Sequence, residues 1–222
     1  MKNVLAKQVA EGLGLDFYFT NAVTQEHKLT GFIDANGVYH ETQFYKAFTE
    51  GGLFFLDEMD ASIPEVLIVL NAAIANGYFD FPVGKIEAHP NFRVLAAGNT
   101  LGTGADNQYT GRYCLDRASL DRFAIVKIDY SPAIDAEMCG GDEALLLFGQ
   151  WFRAVADKAG IQCVCSYRSL DRIHKLEQLQ KFDMKDIMRM ALIKDLDDDD
   201  VHVLYNELSK LIPSNKYVEG LR

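Results

Sequence analysis

Apolar residues at Val4, Leu5, Val9 and Leu13 recur at close to helical spacing. The chain is therefore expected to open with a helix over 2–13, closed by Gly12 and Gly14. Residues 16–20 (D-F-Y-F-T) read as a short aromatic strand. A polar stretch follows, in which Asn36-Gly37 is a hairpin-turn signal. Residues 43–50 look helical and stop at Gly51-Gly52. The run 53–56 (L-F-F-L) is uninterrupted and apolar. It is too short for a helix and suits a strand buried on both faces of a parallel sheet. Ser62 can cap a helix from 64 to 76, with Pro64 in its first turn. Residues 77–86 form a hairpin pattern around Pro82-Val83-Gly84. A second core strand is expected over 92–97 (F-R-V-L-A-A), ending at Gly98-Asn99-Thr100. Beyond it come a glycine-rich polar loop over 101–111, a short helix near 118–122 and a strand over 123–128.

After Ser131-Pro132 the pattern turns helical, over about 141–158, 167–181, 183–193 and 200–211. Alternating strands and helices followed by helices alone predict an α/β domain over 1–132, with a parallel sheet flanked by helices, and a small all-helical domain over 133–222. The acidic run Asp197-Asp198-Asp199-Asp200 fits a solvated loop and a helix start, where carboxylates meet the positive end of the helix dipole.

Composition narrows this picture without redrawing it. Of 222 residues, 49% are apolar and 24% charged, which excludes a disordered or collagen-like chain. The longest apolar stretch, 66–74, is broken by Asn71 and is too short to span a bilayer. Lys and Arg total 22 against 32 Asp and Glu, a net charge of −10. That weighs against a broad grip on nucleic acid, although a local basic groove remains open. The cysteines at 114, 139, 163 and 165 lack metal-ligand spacing. With no secretory pattern at the start, reduced, buried thiols and a cytoplasmic location are expected.

Four features carry chemistry. The first is Asp57-Glu58, directly after L-F-F-L. Ligands of open parallel sheets sit at the carboxyl ends of the strands. Nucleotide hydrolysis gives both carboxylates a task, one holding Mg²⁺ beside the phosphates and the other deprotonating a water. A strand simply meeting a polar loop is the plain alternative. The second is Asn99 at the end of the next long strand, a neutral amide able to hold that water or touch a γ-phosphate. Asn is also a common turn residue. The third is Arg122 in L-D-R-F, able to reach a neighbouring subunit's γ-phosphate as an arginine finger does, or to be a surface charge. Arg117 is a weaker candidate for that role. The fourth is Arg168 in S-Y-R-S-L, at a helix start in the second domain.

The order and intervals of these features resemble the AAA+ proteins, the ATPases associated with various cellular activities. The nearest likeness is to the dynein-related branch that holds the MoxR-type ATPases, the CbbQ/NirQ activases and the small subunit of cobaltochelatase. L-F-F-L-D-E-M-D resembles the Walker B strand of that branch, V-L-A-A-G-N-T its sensor 1 strand, and S-Y-R-S-L the start of its sensor 2 helix. The stretch from G-N-T-L-G-T-G to L-D-R-F is most similar to the cobaltochelatase subunit. The resemblance implies a P-loop NTPase-type sheet with a helical lid, ATP and Mg²⁺ as ligands, and a homo-oligomeric, hexameric ring acting on a partner protein. It implies Asp57 on the Mg²⁺ side, Glu58 as base, Asn99 as sensor 1, Arg122 as finger and Arg168 as sensor 2. The hairpins at 31–40, with Phe32 and Tyr39, and at 77–86 are similar to inserts that face the ring pore or a partner.

A phosphate loop of that family reads G-x-x-x-x-G-K-[ST]. Here Lys2 stands in the place of the loop lysine and Asn3 in that of the Mg²⁺-binding hydroxyl residue. An amide oxygen is an acceptable hard ligand, though a departure. The chain is thus expected to begin inside that loop, with weak or no ATP binding of its own. An ATP-driven remodeller is the leading expectation. A non-catalytic scaffold and a nucleic-acid motor remain as alternatives.

Overall fold

The computed structural model describes residues 2–105 and 109–222. The chain divides into two units, Met1–Ile125 and Val126–Arg222.

The first unit runs α1 (Lys2–Leu13), β1 (Phe17–Thr20), α2 (His27–Thr30), β2 (Phe32–Ile33), β3 (Tyr39–His40), α3 (Gln43–Glu50) and β4 (Gly52–Leu56). It continues with a 3-10 turn (Met59–Ala61), α4 (Pro64–Asn76), β5 (Tyr78–Phe81), β6 (Gly84–Glu87), β7 (Phe92–Ala96) and α5 (Arg117–Leu120). The uninterrupted apolar run makes β4 the middle strand of a sheet ordered β1-β4-β7, parallel on both sides, and all five of its residues are buried. Strand alternation splits its side chains between two cores. Leu53 and Phe55 face Ala6 and Ala10 of α1. Phe54 and Leu56 face α3 and α4, among Phe44, Phe48, Leu67 and Leu70.

Several expectations are corrected in this unit. Helix α1 forms as predicted but turns a different face inward. Ala6 and Ala10 are buried while Val4, Leu5 and Leu13 are exposed, because methyl-sized side chains let the helix lie close on the sheet. Ser62 does not cap α4. The N-cap position is Ile63, and Ser62 Oγ instead accepts the Val23 N–H at 3.0 Å, tying the loop after β1 to the turn after β4. Strand β7 is only half-buried, because it stands at the edge of the three-stranded sheet.

The 123–128 segment does not form the expected strand. It pairs with no strand among the described residues, and Ile125, Val126 and Ile128 are 60%, 79% and 60% exposed. The hairpins β2–β3 and β5–β6 form as antiparallel pairs around their expected turns. Part of the glycine-rich loop, residues 106–108, lies outside the described residues.

The second unit is helical throughout: α6 (Pro132–Met138), α7 (Glu143–Ala159), α8 (Tyr167–Gln178), α9 (Met184–Ala191), α10 (Asp198–Leu211) and α11 (Lys216–Glu219). Helices α6 and α11 go beyond the sequence reading. Five of the helices are capped by the side chain just before them. Asp142, Ser166, Asp183, Asp197 and Asn215 each accept a backbone N–H from the first turn, each worth about 1 kcal/mol. The acidic run therefore caps and opens α10. The core is built from Phe148, Phe152, Leu170, Ile173, Met188, Leu204, Leu208 and Tyr217.

The cysteines are free thiols. Burial pushes Cys165 up to about 12, keeping it protonated. Cys114, however, is exposed rather than buried. No helix among the described residues is long and apolar enough to cross a membrane.

Candidate functional site

Strand β4 delivers Asp57 and Glu58 at its carboxyl end. The Asp57 N–H donates to Thr20 O at 2.9 Å, extending the ladder to β1 by one step. Asp57 Oδ1 accepts the N–H of Glu58 at 2.9 Å. Glu58 then turns into the left-handed region at φ 53, ψ 42. A non-glycine residue held there costs about 1–3 kcal/mol and persists only where its surroundings enforce it. The enforcing contact is the next residue, whose Met59 N–H donates to Ala97 O at 2.8 Å and laces the acidic turn to the end of β7. The turn leaves the Glu58 side chain 45% exposed.

The end of β7 carries the second group. Asn99 and Thr100 are held by Asp60. Its Oδ2 accepts from the Asn99 N–H at 3.0 Å, the Thr100 N–H at 2.8 Å and the Thr100 hydroxyl at 2.9 Å. Lys2, at the start of α1, donates from Nζ to Gly98 O at 2.7 Å and to Asn99 Oδ1. Burial lowers the Lys2 pKa below the ordinary lysine value; Asp57, Asp60 and Glu58 oppose that shift and Arg112 adds to it. Lys2, Asp57, Glu58 and Asn99 thus share one electrostatic neighbourhood at the carboxyl end of the sheet.

The other candidates are each exposed. Asn3 is exposed on the first turn of α1. Arg122 is exposed just past α5, and its guanidinium donates to Ala118 O of that helix. Helix α5, which also carries exposed Arg117, is pinned to α4 by a buried bond in which Asn71 Nδ2 donates to Ser119 Oγ at 2.5 Å. Arg168 is exposed in the first turn of α8, in the second unit, behind a capping box formed by Ser166 and Ser169.

Two residues at the site escaped the sequence reading. Asp60 was visible only as the last letter of D-E-M-D, and its side chain is 1% exposed. Arg112 comes directly after the glycine-rich loop. Its Nη2 lies 3.6 Å from Glu58 Oε1 and its Nε 3.7 Å from Asp60 Oδ2. No periodic or motif signal marks it.

The arrangement is a parallel α/β sheet with acids, an amide and an ammonium gathered at its strand ends, in a chain that continues as a helical unit. That is the architecture of the P-loop NTPase type. Comparison with known proteins agrees. The model of the AAA domain family, dynein-related subfamily, matches residues 1–123. This chain belongs to that family. An uncharacterized protein of Staphylococcus aureus (strain COL) is 31% identical over 125 residues, covering 53% of this chain and 40% of its own length. An uncharacterized protein from a bovine strain of the same species is 32% identical over 100 residues, covering 42% and 34%. The chain thus spans well under half the length of these curated relatives. A mutant RuvB of Thermotoga maritima shares the fold at 17% identity with a TM-score of 0.50, over 95% of this chain and 66% of that one.

Proposed function

We propose that the chain is part of an ATP hydrolase of the MoxR, CbbQ and cobaltochelatase-like branch, working as a cytoplasmic oligomeric ring that remodels a partner protein. The observation that carries this reading is the convergence of Lys2 and Asn99 beside Asp57 and Glu58. An ammonium suits a phosphate oxygen. Carboxylate and amide oxygens are the hard donors that Mg²⁺ takes. Bound ATP with Mg²⁺ supplies the scissile phosphoanhydride and a metal that neutralises charge on its phosphates.

In this reading Asp57 and Asn3 face the metal, and Lys2 neutralises a phosphate oxygen. Glu58 takes the proton of the attacking water, and its partial exposure leaves that carboxylate open to solvent. Asn99 orients the water without repelling an anion. Arg122, exposed and bonded to Ala118 O of its own helix, is placed to serve a neighbouring subunit's site. Arg168 takes the sensor 2 role that its place at the start of α8 suggests. Phe32, Ile33 and Val38 on the β2–β3 hairpin, and Tyr78 and Val83 on β5–β6, are large apolar side chains left exposed, as a partner-facing surface requires. A net charge of −10 argues against nucleic acid as that partner.

The test is phosphate release from ATP with Mg²⁺, by this chain and by a form in which a strand and a G-x-x-x-x-G-K loop lead into Lys2. Turnover in the second form that falls about 100-fold or more on Glu58→Gln supports the assignment. Absence of turnover there, or turnover indifferent to Glu58→Gln, overturns it. Retained partner binding without turnover would favour a scaffold acting through the hairpins.

A further inference from the structure

Asp60, buried, and Arg112, largely covered, are charged and unused by the roles described so far. Asp60 is 1% exposed and the Arg112 side chain 11%. Asp60 Oδ2 already holds three donors from Asn99 and Thr100. Its other oxygen, Oδ1, has no hydrogen-bond partner among the described residues, and neither has Arg112 Nε. The backbone binds the same pieces together, since the Tyr113 N–H donates to Asp60 O at 2.8 Å. A Cβ on Gly98 would lie 3.2 Å from Asp60 Cγ, so the sensor loop is seated directly on this carboxylate.

A buried carboxylate requires a cation, whereas Glu58, nearly half exposed, does not. The guanidinium could close onto Asp60 as a two-pronged pair and satisfy both orphan atoms. It stands instead between the two acids, 3.6 Å from Glu58 and 3.7 Å from Asp60. We propose that Asp60 and Arg112 are positioning residues. Asp60 fixes the Asn99–Thr100 loop, and Arg112, shared between Asp60 and Glu58, sets where the Glu58 carboxylate stands relative to Asn99. This rests on the roles of Glu58 and Asn99 in hydrolysis given above.

Amide NMR of the nucleotide-free, 222-residue chain tests the geometry without requiring turnover. Either single substitution leaves one charge buried alone and risks unfolding. The double variant Asp60→Asn/Arg112→Met removes both charges at similar volume. In it, the Asn99 and Thr100 amides should move upfield and exchange about 3- to 10-fold faster, as when a charged acceptor becomes a neutral one of about half the strength. Amides of β4 should stay in place. Arg112→Met alone should shift the Glu58 carboxyl carbon resonance. Unmoved Asn99 and Thr100 amides overturn the role of Asp60, and an unmoved Glu58 resonance overturns the sharing of Arg112.

In the hydrolysing form, the double variant should lose about 10- to 100-fold in kcat with KM nearly unchanged, as misplacement of reacting groups does. Arg112→Lys should restore the amides, by neutralising Asp60, but not kcat, because a point charge cannot serve both acids. Full kcat in either variant reduces the pair to a structural one and overturns the proposal. If the unsubstituted hydrolysing form turns over no ATP, the ATPase reading fails, and the amide and carboxyl resonances alone decide this one.

Discussion

Arg153 in the second unit offers the sharpest test of how the fold is held. Its guanidinium forms a two-pronged pair with Asp135, Nη1 to Oδ2 at 2.7 Å and Nη2 to Oδ1 at 2.8 Å. Its Nε donates to Cys165 O at 2.7 Å, and its plane lies over the Tyr130 ring at 3.7 Å. The side chains are 16% and 3% exposed. Arg153→Met keeps most of the volume but strands the Asp135 carboxylate. Breaking a buried pair from one side costs about 3–5 kcal/mol. At a urea slope of about 2 kcal/mol per molar, the midpoint should fall by about 2 M.

The sole tryptophan, Trp151, sits on the same helix two positions before Arg153, so its fluorescence follows this unit. Adding Asp135→Leu should recover at least about 2 kcal/mol, since a buried ion pair exchanged for apolar groups is often neutral. A loss below about 1 kcal/mol in the single variant would mean that solvent screens the pair. A double variant no more stable than the single would mean that the orphaned carboxylate is not the cause. The consequence reaches Arg168, because the carbonyl that Arg153 holds immediately precedes Ser166, the cap of the helix bearing it.

The other expectations are smaller. The Tyr217 hydroxyl lies 2.8 Å from Asp142 Oδ2 and 2.6 Å from Glu177 Oε2 and donates its one proton to this carboxylate pair, so Tyr217→Phe should cost about 1.5–3 kcal/mol by urea titration. Burial alone would raise the Asp142 pKa, but the Leu145 N–H, Tyr217 and Lys216 outweigh it and hold the group below the usual 3.8. A depressed carboxyl stabilises above its unfolded value and stops doing so as pH falls through its folded value. The stability gap between wild type and Asp142→Asn should therefore be flat near neutrality and close below about pH 4, a trend read from urea midpoints against pH. Gly98→Ala brings a methyl to 3.0 Å from Thr100 O and 3.2 Å from Asp60 Cγ, and should cost about 1–3 kcal/mol by thermal unfolding, with faster exchange at Thr100. Asn71→Ala leaves the buried Ser119 hydroxyl without its donor and should cost about 1–3 kcal/mol by the same measure.

What could be read ahead of the structure follows from how each signal is carried. L-F-F-L-D-E was legible because a strand covered on both faces must be apolar without a break, and its end must then meet solvent. The 64–76 helix and both hairpins were legible from punctuation, with Pro64 at the start of α4 and Gly77 closing it in the left-handed region. The 123–128 strand misled because F-A-I-V-K-I records side-chain character alone. A strand also needs a neighbour to take its backbone groups, and the described sheet offers none there. The face of α1 misled for the opposite reason, since the alanines that seat it on Leu53 and Phe55 weigh little in any hydrophobic count.

Asp60 and Arg112 lie beyond both kinds of signal. Their charges look like ordinary surface until three segments far apart in sequence, the turn after β4, the end of β7 and the residues directly after the glycine-rich loop, are laced by the Met59, Tyr113, Asn99 and Thr100 N–H groups. Desolvation then makes each charge depend on the other, and in the proposed role the pair holds Glu58 and Asn99 in one frame. A buried pair left with an unpaired atom on each partner is poorly explained by stability alone, because apolar residues would fill that space at lower cost.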